Sequence, residues 1–219
     1  MTGPSRFSTQ AHLPIAAVLA GGAGERMKNA RLNKGPKPLV LLNGLALIGH
    51  VINAVTPQVR GMVLVLRSPE PWADQFKLRV VTDDIPDAGP AAGVATVLSA
   101  LQSETDLVLT APADCPFLPD DLSARLQDAL TPGADIAVAA SGGQRHHLAA
   151  LWRTRIAPDV TRAVALGLHA VHDLQSRFKV AEAVWSAAPH DPFFNINTPD
   201  DLTRAEAICS HRRGGNKAK

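Results

Sequence analysis

The chain has 219 residues, of which 46% are hydrophobic and 19% charged, so it is long and apolar enough for one sizeable core. The formal net charge of +2 is too small to indicate nucleic acid or a membrane surface as the main partner. No apolar run approaches the roughly 18 residues that span a bilayer, and residues 1–13 contain no apolar signal-peptide core. The two cysteines form neither a metal-ligand spacing nor a disulfide framework, so a cytoplasmic protein is expected.

The first predicted element is a buried strand at residues 15–20, which leads into a loop containing Gly21, Gly22 and Gly24. Glycine has no Cβ, so the backbone N–H groups of such a loop can approach an anion closely. The loop matches neither the G-x-x-x-x-G-K-[ST] phosphate loop nor the complete G-x-G-x-x-G dinucleotide fingerprint. Between Gly21 and Pro38 stand five lysines and arginines but only one acidic residue. This imbalance, beside the glycines, favours a polyanion site over a solvated basic loop.

The rest of the chain alternates between strand and helix patterns. We predict further strands at 61–66, 78–81, 107–109, 135–140 and 148–152. We predict helices at 47–55, 89–101, 121–130, 158–166, 170–177 and from 199 onward. Asp120 is the predicted N-cap of the helix at 121–130, and Thr198 is that of the last helix, with Asp201 at its third position.

Strands that alternate with helices indicate an α/β fold, a Rossmann-like three-layer sandwich with a mostly parallel sheet. Residues 1–12 are expected to be loose, residues 13–209 to form a single domain, and residues 210–219 to be a disordered basic tail. Ligands of such sheets bind at the carboxyl ends of the strands. The glycine loop, Asp83 and Asp114 each follow a predicted strand, so we expect them at this edge.

A carboxylate opposite a basic phosphate-binding loop suits Mg²⁺, which takes one or two carboxylates together with substrate phosphates and water. Asp114 is the candidate ligand, and its alternative role is to cap a turn before Pro116. Asp83 has the corresponding alternative as a turn residue before Pro86. Cations for phosphate and a carboxylate for a metal together predict phosphoryl or nucleotidyl transfer.

Five segments, in their order along the chain, resemble a known family. The two segments 19–27 (beginning LAGG) and 37–44 are similar to the N-terminal signature of small nucleotidyltransferases. The three segments 83–93, 114–119 and 194–202 (containing NINTP) resemble the molybdenum cofactor guanylyltransferases. The resemblance covers about residues 14–208 and implies the nucleotidyltransferase type of sandwich.

The resemblance implies Mg²⁺-dependent transfer of GMP from GTP to the phosphate of molybdopterin, with pyrophosphate leaving. It implies catalytic roles for Arg26, Lys37 and Asp114, of which Asp114 is also the metal ligand. It places Asn195 and Asn197 on the molybdopterin side. The implied nucleotide-binding residues are Leu19, Ala20, Gly21, Gly22, Lys37, Asp83 and Asp114. Besides GTP and molybdopterin, it implies other proteins of molybdenum cofactor biosynthesis or molybdoenzyme maturation as partners.

The chain departs from the family pattern where the nucleotide would bind. Lys28-Asn29 stand in place of two glycines, the loop before Lys37 is longer, and the segment 66–68 lacks an asparagine that relatives often have. Gly22 goes with the guanine enzymes of the family. Two other interpretations stay open. One is transfer of another nucleotide, such as cytidylyl or sugar-phosphate transfer, and the other is a nucleotide- or pterin-binding protein without transfer activity.

Three further side chains could suggest a metal site or a nucleophile, but their sequence context favours neither. His146 and His147 are adjacent on a predicted strand and therefore point to opposite faces, so they do not converge on one metal ion. Cys115 lies beside Asp114, but no histidine partner is identifiable, so we expect a small residue packed behind the site.

Overall fold

A computed structural model describes residues 13–21, 35–83 and 89–215 of the chain, with side chains as far as residue 211. The strands are β1 (Ile15–Leu19), β2 (Leu41–Leu42), β3 (Leu45–Ala46), β4 (Gly61–Leu66), β5 (Arg79–Thr82), β6 (Leu107–Pro112), β7 (Ile136–Ser141), β8 (Gln144–Arg153) and β9 (Val180–Trp185). The helices are α1 (Leu47–Val55), α2 (Gly89–Leu101), α3 (Leu122–Ala129), α4 (Ala157–Ala165), α5 (Val171–Gln175) and α6 (Pro199–Gly215). None of the helices in these described ranges is long and apolar enough to cross a membrane.

The main sheet has seven strands in the order β5-β4-β1-β6-β8-β7-β9. All neighbours are parallel except that β8 runs antiparallel to both β6 and β7. β1 lies between β4 and β6, which explains its continuous apolar sequence, since a central parallel strand is covered on both faces. The remaining strands β2 and β3 form a hairpin. Its turn residues Asn43 and Gly44 have positive φ values of 51° and 83°, as two-residue hairpins require.

Helices cover both faces of the sheet. On one face α1 and α3 contribute buried side chains such as Val51 and Leu126. On the other face α2, α4 and α5 contribute Val97, Val160 and Leu174. The predicted three-layer α/β sandwich with a mostly parallel sheet is therefore confirmed. A smaller apolar cluster joins α6 to the β2–β3 hairpin beside the sheet.

The strand β9 is the main element that the sequence pattern does not predict. It lies at the edge of the sheet and, among the described strands, pairs only with β7. Within it Ala183 and Trp185 are buried while Glu182 and Val184 are exposed, so no continuous apolar run marks it. Edge position and mixed exposure weaken the local signal, whereas the doubly covered strands β1, β4 and β6 were predicted.

The ends of two helices differ from the prediction. Asp120 is not the N-cap of α3: Asp121 stands at that position and makes no side-chain capping bond. The Asp121 carboxylate instead accepts a hydrogen bond from Trp185 Nε1 at 2.8 Å. α6 continues past residue 209 to Gly215, because no glycine or proline interrupts the sequence between Pro199 and Gly214. The expected disorder of residues 216–219 and the expected looseness of residues 1–12 fall on positions outside the described residues.

Candidate active site

A cavity of about 570 Å³ opens at the carboxyl ends of β1, β4, β5 and β6. This is the edge at which ligands of parallel sheets bind. The predicted site residues that line it are Leu19, Ala20, Gly21, Lys37, Asp83, Asp114 and Asn197. The structure therefore brings together residues from five separate segments of the chain.

Lys37 connects three of these segments. Its Nζ forms an ion pair with Asp114 Oδ2 and donates a hydrogen bond to Asn197 Oδ1 at 2.6 Å. These partners lie 77 and 160 residues away in the sequence. The Lys37 side chain is 11% exposed and that of Asp114 is 23% exposed, so both charges face the cavity rather than open solvent. A largely buried lysine and carboxylate satisfy each other's charge, which makes the pair tolerable at this depth.

Backbone hydrogen bonds hold the ends of the strands together below the cavity. These bonds run from Ala20 N–H to Val65 O at 2.9 Å, from Asp83 N–H to Leu66 O at 2.8 Å, and from Ala113 N–H to Leu19 O at 3.1 Å. They continue the pairing of the sheet past the assigned strands. Gly21 lies against the segment after β4, because an added Cβ would stand only 3.3 Å from Arg67 Cγ. The floor of the cavity is thus main chain that a ligand can approach closely.

Asn197 is fixed by the N-terminus of α6. Asp201 Oδ2 accepts hydrogen bonds from the N–H groups of Asn197 and Thr198 at 3.0 and 2.9 Å and from the Thr198 hydroxyl at 2.9 Å. Asp201 N–H donates to Thr198 Oγ1 at 3.2 Å, which completes the predicted capping box. Burial alone would raise the pKa of Asp201, but these hydrogen bonds together lower it. Ile196 N–H donates to Asp114 O at 3.0 Å, so the segment before α6 is also bound to the strand end that carries Asp114.

The donor set at Asp114 fits a magnesium ion that is only partly held by protein. Within the described ranges no cluster of three or more histidine, cysteine or acidic side chains could hold a metal alone. Mg²⁺ commonly uses one or two carboxylates and takes its other oxygen ligands from phosphates and water. Asp114 presents such a carboxylate to the cavity, and Lys37 binds the same group. Among the described residues, Asp114 is therefore the candidate ligand of a metal at this position, and a phosphate-bearing substrate could supply further oxygen ligands.

Cys115 packs behind the site, as predicted. Burial is the main cause that raises the pKa of the Cys115 thiol well above its usual value, and the negative charge of Asp114 raises it further. Its Sγ lies 3.4 Å from the carbonyl oxygen of Phe193, to which the thiol can donate. A neutral, buried thiol is a poor nucleophile, so Cys115 belongs to the packing of the site.

His146 and His147 do not converge, as predicted. His146 Nε2 lies 2.6 Å from Ser141 Oγ, and His147 Nδ1 lies 2.6 Å from Gln175 Oε1. Burial lowers the pKa of His146 and favours its neutral form. The Ser141 hydroxyl in turn donates to Asp191 Oδ1 at 2.7 Å. The two rings are thus committed to different parts of the molecule.

Three predicted site residues are not placed in the cavity. Asn195 is exposed and does not line the cavity, whereas its neighbour Asn197 does. Gly22 and Arg26 lie outside the described residues. Conversely, Arg67 lines the cavity, and no role is predicted for it from the sequence. The sequence feature that could have indicated Arg67 is its position directly after an apolar strand, which ends at the same edge of the sheet as Gly21.

Comparisons with known proteins find chains of similar sequence and similar fold. The family model described as the MobA-like NTP transferase domain matches residues 16–180. A molybdenum cofactor guanylyltransferase from Rhodopseudomonas palustris is 41% identical over 200 residues, covering 89% of this chain and 93% of that protein. Among solved structures, a molybdopterin-guanine dinucleotide biosynthesis protein A from Archaeoglobus fulgidus has a TM-score of 0.70 and 27% identity, covering 90% of this chain and 99% of its own. A Mycobacterium tuberculosis protein solved in complex with manganese has the same fold, with a TM-score of 0.63 and 17% identity over 90% of this chain and 98% of its own.

Proposed function

Because the chain belongs to the MobA-like nucleotidyltransferase family, together with the molybdenum cofactor guanylyltransferases, we propose that it transfers GMP from GTP to the phosphate of molybdopterin. In this reaction an oxygen of the molybdopterin phosphate bonds to the α-phosphorus of GTP. The bond from the α-phosphorus to the bridging oxygen breaks, and pyrophosphate leaves. The observation that carries the proposal is the meeting of Lys37, Asp114 and Asn197 at one wall of the cavity.

Lys37 is the residue best placed to act on the phosphates. Transfer of a phosphoryl group depends mainly on positioning and on stabilising the charge that develops on the leaving group. The Lys37 ammonium lines the cavity and is held in one place by Asp114 and Asn197. It would bind the departing pyrophosphate, and Arg26 of the glycine loop is proposed as a second cation for the same charge.

Asp114 is the proposed ligand of Mg²⁺, with oxygens of the nucleotide phosphates completing the coordination. When bound, the ion supplies positive charge at the transferring phosphate. The manganese complex of the Mycobacterium tuberculosis protein supports a divalent metal in this fold. Since Lys37 contacts the same carboxylate, its ammonium lies within reach of any phosphate that is held beside Asp114.

The two substrates are proposed to enter from opposite sides of Asp114. The nucleotide would lie over the backbone of Leu19, Ala20 and Gly21 and extend toward Asp83, all of which line the cavity. Molybdopterin would approach from the segment before α6. Asn197 lines the cavity at this side, and Asn195 is exposed two residues earlier.

The experiment that tests the proposal is pyrophosphate release with Mg²⁺ and molybdopterin, with GTP, CTP, ATP and UTP supplied in turn. Release with GTP alone is the expected result. Release with CTP in place of GTP would keep the mechanism but assign the chain to cytidylyl transfer. Measurable GTP binding without release from any nucleotide would contradict the proposal and favour a nucleotide- or pterin-binding protein without transfer activity.

A further inference from the structure

We propose that Arg67 binds the acceptor edge of the guanine base and thereby helps to select GTP, an inference that rests on the function proposed above. Arg67 directly follows β4, whose carboxyl end forms part of the cavity. Arg67 is exposed and lines the cavity, and its strand β4 pairs with β5, the strand that Asp83 follows. It is therefore a second cation of the site, separate from the cluster around Lys37.

Among the described residues, the cations Lys37 and Arg67 line the cavity, and they differ in their contacts. The Lys37 ammonium is committed to Asp114 and Asn197. The Arg67 guanidinium, by contrast, makes no hydrogen bond or ion pair with any of the described residues. A guanidinium carries five N–H donors in a planar fork and keeps its charge at every relevant pH. A guanidinium that lines a ligand cavity is placed to donate to the ligand.

The stem of Arg67 is packed against the glycine loop. A Cβ added to Gly21 would lie 3.3 Å from Arg67 Cγ and 3.4 Å from Arg67 N, closer than most Cβ contacts in proteins. The glycine therefore allows the start of the Arg67 side chain to lie flat against the main chain of Gly21. The Arg67 side chain therefore starts beside the backbone of Gly21, which the nucleotide is proposed to cover.

The order of the strands separates Arg67 from the reacting phosphate. Neighbouring strands lie about 4.8 Å apart and β1 stands between β4 and β6, so the backbone of Arg67 is roughly 10 Å from that of Asp114. If Asp114 and Lys37 hold the phosphates, the ribose and the base extend away from them toward the ends of β4 and β5. Arg67 then meets the base rather than the phosphates.

The chemistry of the guanidinium favours guanine at this position. Guanine presents two adjacent acceptors, O6 and N7, to which arginine donates a bidentate pair of hydrogen bonds. Adenine has an N6 amino donor in place of O6, so it cannot accept both bonds. The pyrimidines have no N7. Arg67 therefore distinguishes GTP from ATP by hydrogen bonding.

The test compares GTP with 7-deaza-GTP, which lacks the N7 acceptor, in the wild-type protein and in Arg67→Met, which keeps a stem but has no donors. Arg162→Met is the matched control, because Arg162 is exposed on α4 and does not line the cavity. In the wild type and the control, kcat/KM for pyrophosphate release should be about tenfold higher with GTP than with 7-deaza-GTP. In Arg67→Met the value for GTP should fall to that for 7-deaza-GTP, while the melting temperature stays near that of the wild type.

Two results would overturn the inference about Arg67. One is a variant that loses activity equally with both nucleotides and keeps the wild-type preference, which would indicate a phosphate contact or a structural role. The other is a variant that behaves like the wild type. If the wild-type protein releases no pyrophosphate, the proposed function fails separately. Calorimetric binding of GTP and 7-deaza-GTP to the same variants then decides about Arg67, and absence of binding of either nucleotide also overturns the inference.

Discussion

Lys37 is the residue on which the candidate site depends most, because its ammonium joins the end of β6 to the segment before α6. The sequence offers two lysines in this region, Lys34 and Lys37, and only the spacing to Asn43 in the family resemblance favours Lys37. The structure gives Lys37 two oxygen partners in the cavity, whereas Lys34 lies outside the described residues. The structure thus shows contacts of Lys37 that the spacing alone could not reveal.

Replacing Lys37 by alanine should lower kcat/KM for GTP by about a hundredfold or more, since it removes a cation from the leaving pyrophosphate. Lys34→Ala is expected to have a much smaller effect, and Lys77→Ala, at an exposed position outside the cavity lining, none. Pyrophosphate release at several GTP concentrations measures all three variants. A larger loss in Lys34→Ala than in Lys37→Ala would show that the assignment of the phosphate-binding lysine is wrong.

Single residues of the site differ in how far the sequence could predict them. Asp83 and Asp114 were predictable because each stands within two residues of the end of a strand at the ligand-binding edge. The contact between Lys37 and Asn197 was not, because it joins residues 160 positions apart and no local pattern encodes it. Arg67 was missed because its place in the cavity depends on which strands are neighbours in the sheet.

Among the elements, α6 has a role beyond its own packing. The Thr198–Asp201 capping box was readable from the sequence, because its residue types and spacing are local. The same Asp201 carboxylate also accepts the N–H of Asn197, whose side chain binds Lys37. The start of α6 therefore stabilises the helix and positions a residue of the cavity at once.

Asp201→Ala should lower the free energy of unfolding by about 1 kcal/mol at neutral pH, the usual effect of losing such a capping residue. Hydrogen bonds lower the pKa of Asp201 in the folded state despite the opposing effect of burial. Its contribution is therefore fully present above the unfolded pKa of about 3.9 and is lost as the pH falls through the lower folded pKa. Urea unfolding at pH 7, 5, 3 and 2 measures this dependence.

Asp200→Ala is the control for Asp201→Ala, because Asp200 lies in the same first turn and is exposed. It tests the effect of removing one negative charge near the helix N-terminus without removing the capping bonds. An equal loss of stability in both variants, or a difference between wild type and Asp201→Ala that does not shrink in acid, would contradict the role given to the Asp201 carboxylate.

At the scale of the whole molecule, one sheet is shared by two apolar layers. Trp152 is fully buried on the face covered by α2, α4 and α5. Trp185 is buried on the face covered by α1 and α3, and Trp72 packs against that same layer. Because both layers pack on the same strands, we propose that residues 13–209 unfold as a single cooperative domain.

Two variants in which phenylalanine replaces all but one tryptophan, keeping either Trp152 or Trp185, test this cooperativity. In each variant the transition followed by tryptophan fluorescence should coincide with the loss of far-ultraviolet circular dichroism during urea unfolding. The two layers would then lose their structure together with the sheet. Separate transitions for the two fluorescence probes, each displaced from the circular dichroism curve, would show that the layers unfold independently.

The class of fold and the edge of the sheet at which the site forms were predictable from the sequence. Alternating strand and helix patterns fix the layers, and the carboxyl ends of parallel strands fix the edge. The order β5-β4-β1-β6 arises from pairing between distant segments, so the sequence could not show which loops become neighbours. The antiparallel β8 and the edge strand β9 complete a sheet whose order no local periodicity specifies.

The measurement that tests the central claim most directly follows two radioactive labels through the reaction with Mg²⁺ and molybdopterin. With GTP labelled at the α-phosphorus, the label should appear in a pterin dinucleotide, and with GTP labelled at the γ-phosphorus it should appear in pyrophosphate. Asp114→Ala, expected to keep its fold and lose the metal ligand, should give neither product. An α-label that stays in GTP, or is released as GMP or GDP without joining the pterin, would contradict guanylyl transfer by this chain.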